Sequence, residues 1–390
     1  MTEATKCMHA LGETMGERPI VYDTVTETPV DALKAGHTHR SIYKIDPLKD
    51  PRWEKLLEWH PRASVFHSTA WLSALLRTYG YPSIAYTTSP PGKDLQNGVV
   101  FCQVESWLTG RRLVSLPFSD HCELLLRAPE DLQVFGEALG LELQKGKWRY
   151  IEIRPLQPVE FSNPKYHPSS RYSFHQLDLR PDLDTLFRNL HKSSTQRKIL
   201  RAQREGLTYQ EGTEESTLDQ FYRLLVITRR RHRIPPQPRR WFRNLLDCFG
   251  KALKIRLALK DGRPVAGMIT LRYKDALIYK YGGSDVRFNS LGGMHLLYWE
   301  SIRDAKNSGL RLFDLGRSDS HQAGLIEFKT RWGASQSALT YLRCTEPGRS
   351  GRIFDHAGGT WKMQKLQSAF AKAPASVLSA LGNFLYKHVG

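Results

Sequence analysis

From about Ile42 onward the chain switches repeatedly between two hydrophobic periods. Trp53–His60 and Ala70–Tyr79 space their apolar residues as helices do, whereas Ser83–Thr88, Val99–Leu108 and Arg111–Pro117 read as extended runs. Thr109-Gly110 suits a tight hairpin turn between the last two. Pro129 to about Leu143 reads as a helix opening on proline, and Tyr150–Arg154 as a strand.

The second half repeats this order. Phe174–Leu179 is extended, Asp182–Leu190 and Ser193–Glu205 are predicted helices, and Gly206 stops the latter. Leu207–Gln210 reads as a strand, and Leu218–His232 and Arg239–Phe249 as helices. Ile255–Leu259 and Val265–Arg272 flank Lys260-Asp261-Gly262, a hairpin signal, and Ala276–Gly282 follows as a third strand. Met294, Leu297, Tyr298, Ile302 and Ala305 place Met294–Lys306 on a helix. Leu312–Leu315 is then a strand, and Ala338–Leu342 closes the sheet. Helices, a meander, a helix and a strand, twice over, imply a mixed α/β fold.

This order divides the chain into a polar leader over 1–40, one α/β module over 41–160, a second over 173–345, and a tail over 346–390. A Pro-rich polar stretch, PLQPVEFSNPKYHPSS, joins the modules. The tail holds two amphipathic segments, Trp361–Phe370 and Ser376–His388, split by Pro374. Val377, Leu378, Leu381, Phe384 and Leu385 form one stripe, suited to packing on the body or to peripheral contact with a membrane.

Charge changes the picture more than composition does. Lys and Arg number 57 against 39 Asp and Glu, a net charge of +18, which attracts polyanions. Arg188–Arg204 carries six basic residues and no acid, and Arg223–Arg243 carries eight arginines and no acid. These stretches suit the phosphates of a tRNA or of a nucleotide- or lipid-linked precursor, or they are solvated helix faces. The five scattered cysteines form neither a C-x-x-C pair nor a disulfide framework. The start of the chain lacks the pattern of a secretory signal, and no run is long and apolar enough to span a bilayer. The expected location is cytoplasmic, with membrane association open through the tail. P-loop, G-x-S-x-G, H-E-x-x-H and dinucleotide fingerprints are absent, which argues against the chemistries they serve.

The candidate chemistry lies at strand ends. Gly292-Gly293-Met294 sits between a strand and a helix, where free N–H groups favour phosphate, or where two glycines simply make the turn. Asp314, Arg317, Asp319 and His321 follow the next strand. In the first half, Ser119-Asp120-His121-Cys122-Glu123 invites a metal or a Cys–His reading. Alternation along an extended run sends His121 and Cys122 to opposite sides, so no metal is expected and a polar cleft loop is preferred.

In order along the chain, Tyr281-Gly282-Gly283-Ser284-Asp285, Leu291-Gly292-Gly293-Met294, Phe313-Asp314-Leu315-Gly316, Phe328-Lys329 and Trp332-Gly333 resemble the C-terminal module of FemAB-type transferases and their CelD-like relatives in the GNAT superfamily. Leu116-Pro117-Phe118 resembles the partner module. The resemblance implies two tandem GNAT-like modules (the acyl-CoA N-acyltransferase fold) sharing a central cleft. It implies an acyl- or aminoacyl-transferase moving an acyl group from acyl-CoA, such as acetyl-CoA, or from aminoacyl-tRNA to an amine of a peptidoglycan or polysaccharide precursor. Lys329 would stabilise the oxyanion beside a wall formed by Phe328, with Asp319, His121 or Asp120 handling the amine proton. Gly292, Gly293 and Met294 would hold the donor, and Lys192, Arg197, Tyr281 and Arg317 the substrates. The usual GNAT Arg/Gln-x-x-Gly-x-Gly/Ala spacing is missing, so the donor stays open. The rival reading is a non-enzymatic polyanion- or nucleic-acid-binding protein that uses the arginine-rich helices.

Overall fold

The computed structural model describes residues 41–346 and 375–389. The leader and the segment Trp361–Phe370 lie outside the described residues.

The first half runs β1 (Tyr43–Ile45), α1 (Pro51–Trp59), α2 (Thr69–Tyr79), β2 (Ser83–Thr87), β3 (Val99–Ser106), β4 (Gly110–Val114), α3 (Asp131–Lys145) and β5 (Tyr150–Ile153). Local chemistry marks the ends of its helices. Asp50 caps α1 ahead of Pro51, Ser68 caps α2, and left-handed Gly80 closes α2. The second half runs β6 (Tyr166–Asp178), α4 (Leu183–Asn189), α5 (Arg197–Arg204), β7 (Thr208–Gly212), α6 (Glu215–Arg231), α7 (Arg239–Phe249) and β8 (Leu253–Lys260). It continues with β9 (Arg263–Tyr273), β10 (Ala276–Ser284), α8 (Gly293–Asn307), β11 (Leu312–Asp319), α9 (Ala323–Thr330) and β12 (Ser335–Cys344), and α10 (Ala375–Val389) follows in the tail.

The strands form one 12-stranded sheet in the order β1-β2-β3-β4-β5-β12-β6-β11-β10-β9-β8-β7. Each half is an antiparallel meander with one parallel step, β4 to β5 across α3 and β10 to β11 across α8. The expected mixed α/β repeat is therefore present, and Rossmann order is not.

Three features depart from expectation. The strand expected to close the sheet, β12, lies at its centre, between β5 and β6. The last strand of the second half thus completes the first. Strand β6 begins at Tyr166, inside the stretch expected to link the modules. Pro168 is tolerated there because β6 pairs only with β12 at that point; its pairing with β11 starts at Tyr172. The β3–β4 turn is Trp107–Thr109, with Gly110 opening β4 at φ +83°.

One apolar core crosses from half to half. Trp71 of α2 meets Trp241 of α7 edge-on, with ring centroids 5.3 Å apart, and both are fully buried. The tail helix packs on the body: Leu378 is buried, Tyr81 Oη donates to the carbonyls of Tyr386 and Lys387, and Tyr386 Oη donates to Pro235 O.

Candidate active site

The seam between the halves carries a cluster of buried charge. Strand β10 pairs with β11 only over Ala276–Ile278, after which the two diverge. Strand β11 bulges between Asp314 and Arg317, with Gly316 at φ +70°. A side chain at Gly316 would crowd the Asp120 carboxylate, which enters from the first half.

The loop that delivers Asp120 and His121 is strained. Leu116 and Phe118 adopt φ of 56° and 61°, uncommon for bulky residues. Such strain persists only where its surroundings impose it. Here Arg154 Nη1 and Ser119 Oγ both donate to Leu116 O, at 2.9 and 2.7 Å. Glu152 in turn binds Arg154 and Arg343; burial works against its charge, but the two guanidiniums hold its carboxyl down at about 2.

Asp120 accepts from Lys280 Nζ at 2.9 Å, and Arg317 Nε lies 3.9 Å from its other oxygen. Burial opposes the charge on Asp120, yet Lys280 and Arg317 outweigh it and hold the carboxyl below its ordinary range. The Lys280 ammonium sits over the rings of Phe66, Trp71 and Tyr281 at 5.2–5.7 Å. The Arg317 guanidinium stacks over Tyr172 at 4.1 Å. Tyr341 Oη donates to Asp120 O at 2.6 Å, and Trp241 Nε1 donates to Tyr281 Oη at 2.8 Å.

Lys329, on α9, is 1% exposed. Its Nζ donates to Gly316 O at 2.9 Å and Arg317 O at 3.0 Å, carbonyls of the bulged part of β11. Burial, offset in part by Asp120 and Asp314, pulls its pKa down to about 8. An ammonium has three donors, so one N–H is left beyond these two carbonyls.

His121 Nε2 lies 3.2 Å from Asp314 Oδ2, while Asp314 Oδ1 accepts from Gly316 N at 2.7 Å. A carboxylate accepts, so the tautomer with its hydrogen on Nε2 fits this contact and leaves Nδ1 as the other ring nitrogen. That Nδ1 is buried without a protein partner, as are His175 Nδ1 and Ser318 Oγ. Burial and then the Lys329 charge push His175 down to about 4, so it is neutral. Cys122 faces away, with its Sγ 3.4 Å from His67 Nε2, and burial pushes its thiol up to about 12, which is no nucleophile near neutrality. Among the described residues, no group of three or more His, Cys, Asp or Glu is placed to hold a metal ion.

Asp120, His121, Tyr281, Arg317 and Lys329 therefore converge. Asp319 ends β11 half-buried; its main-chain carbonyl accepts from Gln322, and its charge is felt by Arg317. The remaining candidates lie toward α5 and α8. Gly292 caps α8 at φ +84°, and a Cβ there would overlap the carbonyl oxygen of Lys198. The close backbone approach that Gly292 permits is thus made by the protein's own α5. Gly293 packs against Ala266, and Met294 lies against the core of the second half.

Beside this turn, a groove of about 790 Å³ is lined by Arg197, Lys198, Arg201, Arg204, Glu205 and Ser290. A second, of about 420 Å³, includes Lys192 and Arg197. His295 of α8 feels the charge of Lys198, and its ring meets the Phe328 ring edge-on at 5.3 Å. Lys280, His175 and Ser318 were missed in the sequence. Only Lys280 left a signal there, as a lone cation in the apolar strand Ala276–Gly282.

The architecture and seam define a tandem GNAT-fold protein. Residues 191–330 match the family model described as an acetyltransferase (GNAT) domain. The crystal structure of FemX superposes with a TM-score of 0.59 at 14% identity, covering 78% of this chain and 97% of that one. A tandem GNAT protein from the clavulanic acid biosynthesis pathway gives 0.50 at 11% identity, covering 77% and 97%. In sequence, the chain is 30% identical over 158 residues to UDP-N-acetylmuramoylpentapeptide-lysine N(6)-alanyltransferase of Weissella viridescens. That match covers 39% of this chain and 46% of the relative, so it spans about half the relative's length. Residues 191–330 thus resemble a GNAT domain, and the fold as a whole resembles that of FemX.

Proposed function

We propose that this protein is an acyltransferase that moves an acyl group from acyl-CoA or aminoacyl-tRNA onto an amine of a cell-envelope precursor. The observation that carries the reading is the buried seam, where three cations, Lys280, Arg317 and Lys329, face two carboxylates, Asp120 and Asp314. The similarity to an alanyltransferase whose name specifies a lysine amine of a peptidoglycan precursor supports both the reaction and the acceptor class.

In this reading the acceptor nitrogen attacks the acyl carbonyl directly. The carbonyl oxygen takes up the electron pair, and the third N–H of Lys329 donates to it. The amine proton passes to His121 Nδ1, with Asp314 stabilising the resulting imidazolium from the opposite nitrogen. Collapse expels the CoA sulfur or the ribose oxygen, which takes the proton back from the His121 imidazolium and restores the neutral ring. Asp120 holds Lys280 and Arg317 and so sets the field, and Asp319 borders the acceptor. The groove along α5 takes the donor's phosphates, with Lys192, Arg197, Lys198, Arg201 and Arg204 as contacts.

The test is single-turnover transfer from labelled acetyl-CoA and from alanyl-tRNA, each offered with a lysine-containing peptidoglycan precursor. Transfer from one donor, lost in Lys329→Ala, is expected. Failure of both donors, together with salt-sensitive binding of arbitrary nucleic acid, would replace this reading with that of a polyanion-binding protein, which has no need of the seam.

A further inference from the structure

We propose that the face formed by the β3–β4 turn and the outer side of α10 docks on an anionic lipid bilayer. Trp107 is 78% exposed, Leu108 46% and Phe384 49%. The Trp107 ring lies 6.3 Å from that of Phe384, so turn and helix present a joined apolar surface.

This surface is held outward. Ser106 Oγ accepts from the N–H groups of Leu108 and Thr109 and lies 3.0 Å from His388 Nδ1. His388 O accepts from Thr109 Oγ1 at 2.7 Å and from Arg112 Nη2 at 2.9 Å. The helix is thereby pinned to the turn, and Trp107 cannot fold inward without breaking these bonds.

A collar of cations surrounds the tip. Arg111 caps the Trp148 ring, Arg149 Nη1 donates to Thr109 O, and Lys147 and Lys387 are exposed beside them. The acid at the tip, Glu105, is paired with Arg111. Tryptophan favours the boundary between headgroups and acyl chains, and lysine and arginine favour anionic headgroups. A bilayer offers both in that geometry. A second copy would not, because a two-fold contact through this face would set cation against cation. The argument is independent of the reaction proposed for the seam.

The test uses the full chain with vesicles of phosphatidylglycerol mixed with phosphatidylcholine, and with phosphatidylcholine alone. Co-sedimentation should occur with the anionic vesicles. The Trp107→Ser/Phe384→Ser variant should reduce the partition coefficient by about tenfold or more, with an unchanged melting temperature. Lys147→Glu/Lys387→Glu should remove the preference for the anionic lipid. Arg201→Glu/Arg204→Glu, in the groove, should still bind. Equal partition of wild type and Trp107→Ser/Phe384→Ser would overturn the proposal, because the net charge alone would then explain the binding. So would a dimer, seen by light scattering, that Trp107→Ser/Phe384→Ser dissolves.

Discussion

The seam and the α5 groove both gather cations, yet they hold their charge in opposite ways. In the groove, Arg197, Arg201 and Arg204 stand in water, Arg201 with only an exposed pair to Glu205 at 3.4 Å. In the seam, Lys280 and Lys329 are out of water, each held by named oxygens. Water and salt screen the first set, whereas the second acts at short range in a medium of low dielectric. A solvated cation set suits capture of a polyanion. A buried and oriented one suits stabilising charge that develops at one atom.

The sharpest way to break this contrast is at Asp120. Asp120→Ala leaves Lys280 buried without its counter-ion and should cost about 3–5 kcal/mol of stability. Urea unfolding would measure this, and Asp120→Ala/Lys280→Met should recover much of the loss. Arg201→Glu/Arg204→Glu should stay within about 1 kcal/mol of wild type in the same assay. Equal costs would erase the distinction between the regions.

Lys329→Ala should lower single-turnover transfer by about 100- to 1000-fold, with donor affinity changed far less. Lys329→Arg should rescue poorly, because a planar fork does not replace a point donor already bound to two carbonyls. The pH dependence sharpens this test. Burial pulls Lys329 from 10.5 to about 8, so the rate should fall as pH rises through about 8. The contribution of Lys329 to stability runs the other way. From about 8 to 10.5 the unfolded chain keeps a proton that the folded chain has lost, so stability rises with pH across that window. A rate that stays flat through this range would remove the Lys329 ammonium from the reaction.

Gly292→Val should cost about 1–3 kcal/mol through its left-handed backbone, with the Lys198 carbonyl adding to the strain. A thermal melt checks it, and an unchanged melting temperature would deny that α5 closes on this turn. Smallest is the groove: Arg201→Glu/Arg204→Glu should weaken donor binding about tenfold and flatten its dependence on salt. Titration of the competent donor at two salt concentrations would show it. Unchanged affinity would move the donor away from α5.

Much of this protein was legible along the chain. Period and a few end signals located the main helices and strands, because apolar spacing and residues such as Gly206, at φ +67°, act locally. The hairpin at Lys260-Asp261-Gly262 needed nothing more than its turn residues, and both Asp261 and Gly262 take positive φ. Asp120, His121 and Arg317 stood out as polar residues at strand ends and in loops, and Lys329 through the family resemblance. What joins Asp120 and His121 to their partners did not, since those pairs are separated by long stretches of chain. Asp120 meets Lys280 across 160 residues, and His121 meets Asp314 across 193. The central place of β12 is of the same kind: its pattern says strand, but its neighbours β5 and β6 are chosen by which edges the folded halves leave free. The sequence alone determined most of the segments that form helix or strand, though not α9 or the start of β6, since those choices rest largely on a residue and its near neighbours. Only the tertiary structure decided which cations lose their water, because burial depends on what the other half of the chain places over them.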